Sequence, residues 1–167
     1  MAPRPFPLLP TLAALATLAG GAASAGEPPG VAIIDFTYSD SSGEPRDQTA
    51  DHQARLEAFM AALATDLAAG GRLRVVTPHC DPAPCTLTAG AVPELAEAAK
   101  QAGADLLVVG GIHKMSTLVQ MAKVEVVAVK AGHVVFQKLY TFRGDTDESW
   151  RRAESFIAGQ ILTVPQD

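Results

Sequence analysis

The sequence is poor in cysteine and in aromatic residues, with two cysteines, one tryptophan and an aromatic content of 5% in 167 residues. Two cysteines exclude a disulfide-dense scaffold and, without further ligands nearby, a cysteine-rich metal module. Basic residues are outnumbered, 13 against 18 acidic ones, for a net charge of −5. That balance excludes a dedicated nucleic-acid binder, which needs a basic face to displace phosphate counterions. There is no G-x-S-x-G elbow, no H-E-x-x-H, and no glycine fingerprint between a strand and a helix. No motif calls for a cofactor or a metal, and the chain reads as non-enzymatic rather than as an enzyme.

What is present begins with residues 1–25. Arg4 precedes an apolar stretch from Phe6 to Ala19, and Ala23-Ser24-Ala25 has the small-x-small form of a cleavage site, so an export signal ending after Ala25 is expected. Pro7 and Pro10 break the apolar stretch, and no cysteine follows the cleavage site to accept lipid. The expected product is a periplasmic protein of residues 26–167, not membrane-spanning after cleavage and of a length suited to one domain. Cys80 and Cys85 then meet an oxidising compartment and are expected to pair, closing a small loop worth roughly 2 kcal/mol. A redox pair is disfavoured because Pro82 and Pro84 stiffen the loop, and a metal site with His79 lacks a fourth ligand.

Along the rest of the chain, Val31 to Phe36 reads as a buried strand, and Tyr38 to Asp47 as a polar loop at its carboxyl end. Thr49 to Ala69 carries Leu56, Phe59, Met60, Leu63 and Leu67 at helical spacing, ended by Gly70-Gly71. Leu73 to Val76 is a short strand, and Pro93 opens a second helix reaching Gln101. Leu106 to Val109 is a central strand. Leu118–Val129 and Val134–Phe142 form a hairpin, followed by a helix from Asp147, its expected N-cap, to Leu162, burying Trp150, Ala153, Phe156, Ile157 and Ile161. The order β-α-β-α-β-β-β-α predicts a single α/β domain with a mixed five-stranded sheet packed against three helices.

The run Asp35-Phe36, a long helix, Leu73-Arg74-Val75-Val76, then Ala102 to Gly110 resembles the α/β domain at the N-terminus of the Tol-system propeller protein and in curli-secretion lipoproteins. The closing hairpin with Arg143 to Arg152, above all Asp147-Glu148-Ser149-Trp150-Arg151-Arg152, is similar to a family of uncharacterised exported proteobacterial proteins of the DUF2380/DUF3280 type. The resemblance spans most of residues 31 to 162. It implies a fold and a compartment, and it carries no catalytic residues.

Two surfaces are candidates for function. Arg143, Asp145, Trp150, Arg151 and Arg152 form the densest polar constellation and would engage a partner protein or envelope component, although helix capping also accounts for the acidic members. The alternative is a small-molecule or metal pocket, conceivably a weak hydrolase site, near Asp35, Gly110 and His113. Asp35 also reads as a carboxylate capping loop amides, and Gly110-Gly111 as a bend. His52, His79, His113 and His133 lack mutual ligand spacing and read singly as surface or loop histidines.

Overall fold

A computed structural model describes residues 26–81, 83–87 and 92–165. The expected export signal at residues 1–25, the loop residue Pro82 and Gly90-Ala91 ahead of the second helix lie outside the described residues. Nine principal elements follow in order: β1 (Gly30–Ile33), β2 (Thr37–Asp40), α1 (Thr49–Ala68), β3 (Arg74–Val76), α2 (Val92–Gln101), β4 (Leu106–Ser116), β5 (Val119–Ala128), β6 (His133–Arg143) and α3 (Asp147–Ile161). The domain is mixed α/β, as expected, but its sheet has six strands rather than five.

The extra strand is β2, which the sequence presents as loop because Thr37-Tyr38-Ser39-Asp40 has little apolar signal and stays largely exposed. β1 pairs in parallel with β4 at residues 106–108, and β2 pairs in parallel with the same strand at residues 111–114. The two are one path interrupted at Asp35, whose amide donates to the Cys85 carbonyl at 2.8 Å. The sheet order is β3-β1-β4-β5-β6, parallel on the β3 side and antiparallel through the hairpins, so β6 forms one edge.

Helices α1 and α3 cover one face. Leu56, Phe59, Leu63 and Leu67 of α1 meet Val108, Ile112, Val124 and Val126 of the sheet, with Trp150, Ile157 and Ile161 of α3 completing that core. On the other face, Leu95 and Ala99 of α2 pack with Ala32, Ile34, Leu107 and Val109, flanked by the joined Cys80 and Cys85. This second layer is short. Past Val109 the face of β4, β5 and β6 lacks a covering helix among the described residues.

The helix ends show why the elements stop where they do. Gly70 and Gly71 have φ of 77° and 67°, a left-handed conformation that closes α1 without a Cβ clash. At α3 the N-cap is Thr146 rather than Asp147: Thr146 Oγ1 accepts from the Ser149 amide, and Ser149 Oγ accepts from the Thr146 amide at 3.1 Å. Phe156, expected in the core, is 58% exposed and meets Tyr140 edge-on at 5.7 Å. Its position in α3 lies off the stripe formed by Trp150, Ile157 and Ile161, which carries the burial.

Candidate functional site

Alternation along β4 turns Ile112 and Lys114 to the α1 face, where the apolar core gives way to a buried ionic network. Lys114 is fully buried. Its Nζ donates to Gln48 Oε1 at 2.8 Å, to Asp145 Oδ2 at 2.8 Å and to Glu44 Oε2. The three protons of the ammonium therefore have three acceptors, supplied by the β2–α1 loop, the start of α1 and the β6–α3 turn.

Asp145 is the anion at the centre. It accepts from His52 Nε2 at 2.8 Å and from Arg55 Nη1 at 2.9 Å, in addition to Lys114. Arg55 bridges onward, its Nε donating to Asp147 Oδ1 at 2.8 Å, which ties α1 to the first turn of α3. His52, 2% exposed, stacks on Tyr38 with ring centroids 4.7 Å apart, and Trp150 lies 6.2 Å beyond it. Gly144, at φ 98°, makes the turn that brings Asp145 inward.

The charges respond to this geometry. Burial works against the charged form of Lys114, but hydrogen bonds to Asp145 and Glu44 outweigh it and raise its pKa. Burial pulls Asp145 upward, yet its bonds from Lys114 and His52 leave its carboxyl below the usual range. The Lys114 bond likewise lowers Glu44. Burial, with Asp40 and Asp145 adding to it, raises the Tyr38 phenol. A lysine held protonated with all its donors engaged is neither a nucleophile nor a base. The network locks the loop at residues 41–48 and the start of α3 onto the sheet.

Beside it opens a cleft of about 1030 Å³ against β2, lined by Asp35, Asp40, Glu44, Asp47 and Glu57 with Arg46 as its counter-charge. Asp35 lies on this side. Gly110 and His113 instead border a separate depression of about 290 Å³ on the open sheet face, so the three residues of the expected pocket do not converge. Gly110 is occupied by packing: a Cβ there would stand 2.5 Å from the Phe36 ring, and one at Gly111 would stand 2.5 Å from Thr37 Oγ1. The two glycines thus admit neighbouring side chains to the sheet. His113 is held between Ser39 Oγ at 2.8 Å and Ser41 Oγ at 2.9 Å.

The arginine surface is also divided. Phe142 packs on Trp150, so alternation turns Arg143 to the opposite face of the sheet from α3. Arg151 and Arg152 are exposed on α3, with Arg151 paired to Glu148. Trp150, 2% exposed, and Asp145, enclosed by Lys114, Arg55 and His52, are turned away from a partner, a correction that follows from burial. His79 and His133 are exposed, as expected, whereas His52 is a core residue. Its signal was in the spacing, since His52 continues the series Leu56, Phe59, Leu63. Lys114, Glu44 and Gln48 come together only through the sheet register. Among the described residues, no group of three or more His, Cys, Asp or Glu is arranged to hold a metal.

The fold has relatives among solved structures. The hypothetical protein CT253 from Chlamydia trachomatis matches with a TM-score of 0.56 at 11% identity, covering 82% of this chain and 97% of that one. TolB from Acinetobacter baumannii gives 0.49 at 18% identity over 81% of this chain, which spans only 28% of TolB. The PelC dodecamer from Paraburkholderia phytofirmans gives 0.48 at 14% identity, covering 78% of this chain and 86% of that one. No curated protein matches. Residues 29–162 match the family described as a protein of unknown function, DUF3280 (DUF2380), and the chain belongs to that family.

Proposed function

We propose that this is a non-enzymatic accessory protein of the bacterial envelope that holds a partner protein along the β6 edge and the adjoining open sheet face. One observation carries this reading. β6 is eleven residues long, ends the sheet with its outer edge free of any strand among the described residues, and exposes Val134, Val135 and Leu139. Such an edge offers main-chain hydrogen bonds to an added strand and apolar side chains for selectivity. Placement in the periplasm is supported by the export pattern of residues 1–25 and by the Cys80–Cys85 disulfide.

The ligand-binding alternative would draw on the acidic cleft or the His113 depression, but Asp35 lies at the first and Gly110 and His113 at the second, so its residues stand apart. The test is crosslinked capture from periplasmic extract with wild type, a Val134→Glu/Leu139→Glu variant, and an Arg151→Glu/Arg152→Glu variant, all checked for folding by circular dichroism. The proposal expects loss of partner with the β6 variant and retention with the α3 variant. The reverse pattern would move the interface to α3, and capture of nothing by wild type would reject the proposal.

A further inference from the structure

The chain carries a net charge of −5, yet its edge strand β6 has the opposite character. His133–Arg143 contains Lys138 and Arg143 and no carboxylate, and both cations are exposed. Among the described residues, Lys100, Lys114, Lys123 and Lys130 each meet a carboxylate, and Lys138 is the one lysine that does not. Arg143 is likewise without a carboxylate partner, a state it shares with Arg72 and Arg152 among the described arginines. The acids close to the strand are already engaged. Glu125, opposite Gln137 on β5, holds Lys123 and accepts from the Gln137 amide. Beyond Arg143, Asp145 and Asp147 hold Arg55, and Glu148 holds Arg151.

We infer that the segment received by the β6 edge is an acidic extended strand of a partner protein, with carboxylates set against Lys138 and Arg143. This rests on the reading of β6 as the partner-binding edge and gives the chemistry of the strand that binds there. Lys138 lies four residues before Phe142, whose ring packs on Trp150, so alternation places it on the α3 face, while Arg143 turns to the open face. The pairing of β6 with β5 is regular from Phe136 to Arg143, so the two cations stand about 17 Å apart along the strand. A strand added alongside meets both only with acidic residues five positions apart, whichever direction it runs. A second copy of β6 would set cations beside cations, since it brings no carboxylate of its own. The same two side chains thus oppose edge-to-edge self-pairing and favour an acidic strand over a neutral or basic one.

The experiment titrates the folded protein against three end-blocked, dye-labelled peptides: Thr-Thr-Glu-Val-Thr-Thr-Val-Glu-Thr-Val, and the same sequence with both Glu replaced by Gln or by Lys. Fluorescence anisotropy reads affinity, and amide hydrogen exchange reads where the peptide sits. The Glu peptide should bind roughly fivefold tighter than the Gln peptide at about 0.05 M salt, and the Lys peptide more weakly than either. That advantage should shrink at about 0.5 M salt, and protection should fall along His133–Arg143. Lys138→Glu/Arg143→Glu, a change at two exposed positions checked by circular dichroism, should reverse the order in favour of the Lys peptide. Equal affinity for all three peptides with β6 protected would overturn the acidic chemistry and leave β6 as the binding edge. Protection by the Glu peptide away from β6, or an unchanged order in the double variant, would overturn it too. Binding of none of the three would also overturn it, with the edge reading then decided by partner capture alone.

Discussion

Replacing Lys114 with Met removes the ammonium while keeping an unbranched stem of similar size, so little cavity opens and the effect isolates the charge. What remains is unfavourable. Glu44 and Asp145, with side chains only 19% and 12% exposed, lose the cation between them, and Asp145 keeps only His52 and Arg55. Breaking a buried pair by deleting one partner costs about 3–5 kcal/mol. A domain of this size is stable by about 5–15 kcal/mol in all, so the variant should unfold about 10 °C or more below wild type.

Denaturant melts at neutral pH measure the loss, and a Lys114→Met/Glu44→Gln/Asp145→Asn variant should recover part of it by removing the stranded charges. Acid supplies a second reading. Carboxyls whose folded pKa is lowered contribute stability that is present above their unfolded value near 4 and lost as pH falls through the folded one. Wild type should therefore weaken on acidification below about pH 4 more steeply than Lys114→Met, whose Asp145 and Glu44 are no longer lowered by Lys114. A Lys114→Met protein within about 1 kcal/mol of wild type would refute the view that this network fastens the loop and α3 to the sheet.

Glu154 should act in the opposite sense: its raised carboxyl favours the fold fully below about pH 4.5, and that contribution is lost as pH rises through about 7. Melts across pH 4–8 should show this slope in wild type and its absence in Glu154→Gln. Trp150→Ala should cost about 3–5 kcal/mol in the same assay, because the indole is 2% exposed and packs edge-on against Phe59 and Phe142. Thiol titration of the protein denatured without reductant should find no free thiol, since Cys80 and Cys85 are joined.

The elements carried by apolar periodicity were legible in the sequence: α1 from Leu56 to Leu67, β4 from Leu106 to Val109, and the β5–β6 hairpin. β2 was not, because Thr37 to Asp40 forms a strand through backbone pairing with Gly111 to Lys114 and not through burial. The ionic network was hidden for a related reason. Lys114, Glu44, Gln48 and Asp145 lie in four separate segments, and only the register of β2 on β4 together with the Gly144 turn brings them together. The arginine constellation looked contiguous in sequence, yet strand alternation sends Arg143 to one face and the start of α3 carries Arg151 and Arg152 on the other.

Amide hydrogen exchange of the protein alone and with its captured partner tests the β6 interface most directly. The proposal predicts slower exchange on binding along His133–Arg143, concentrated on the outward amides around Val134 to Leu139, with α3 unchanged. Protection confined to α3 or to the cleft beside β2, with β6 exchanging as in the free protein, would contradict it.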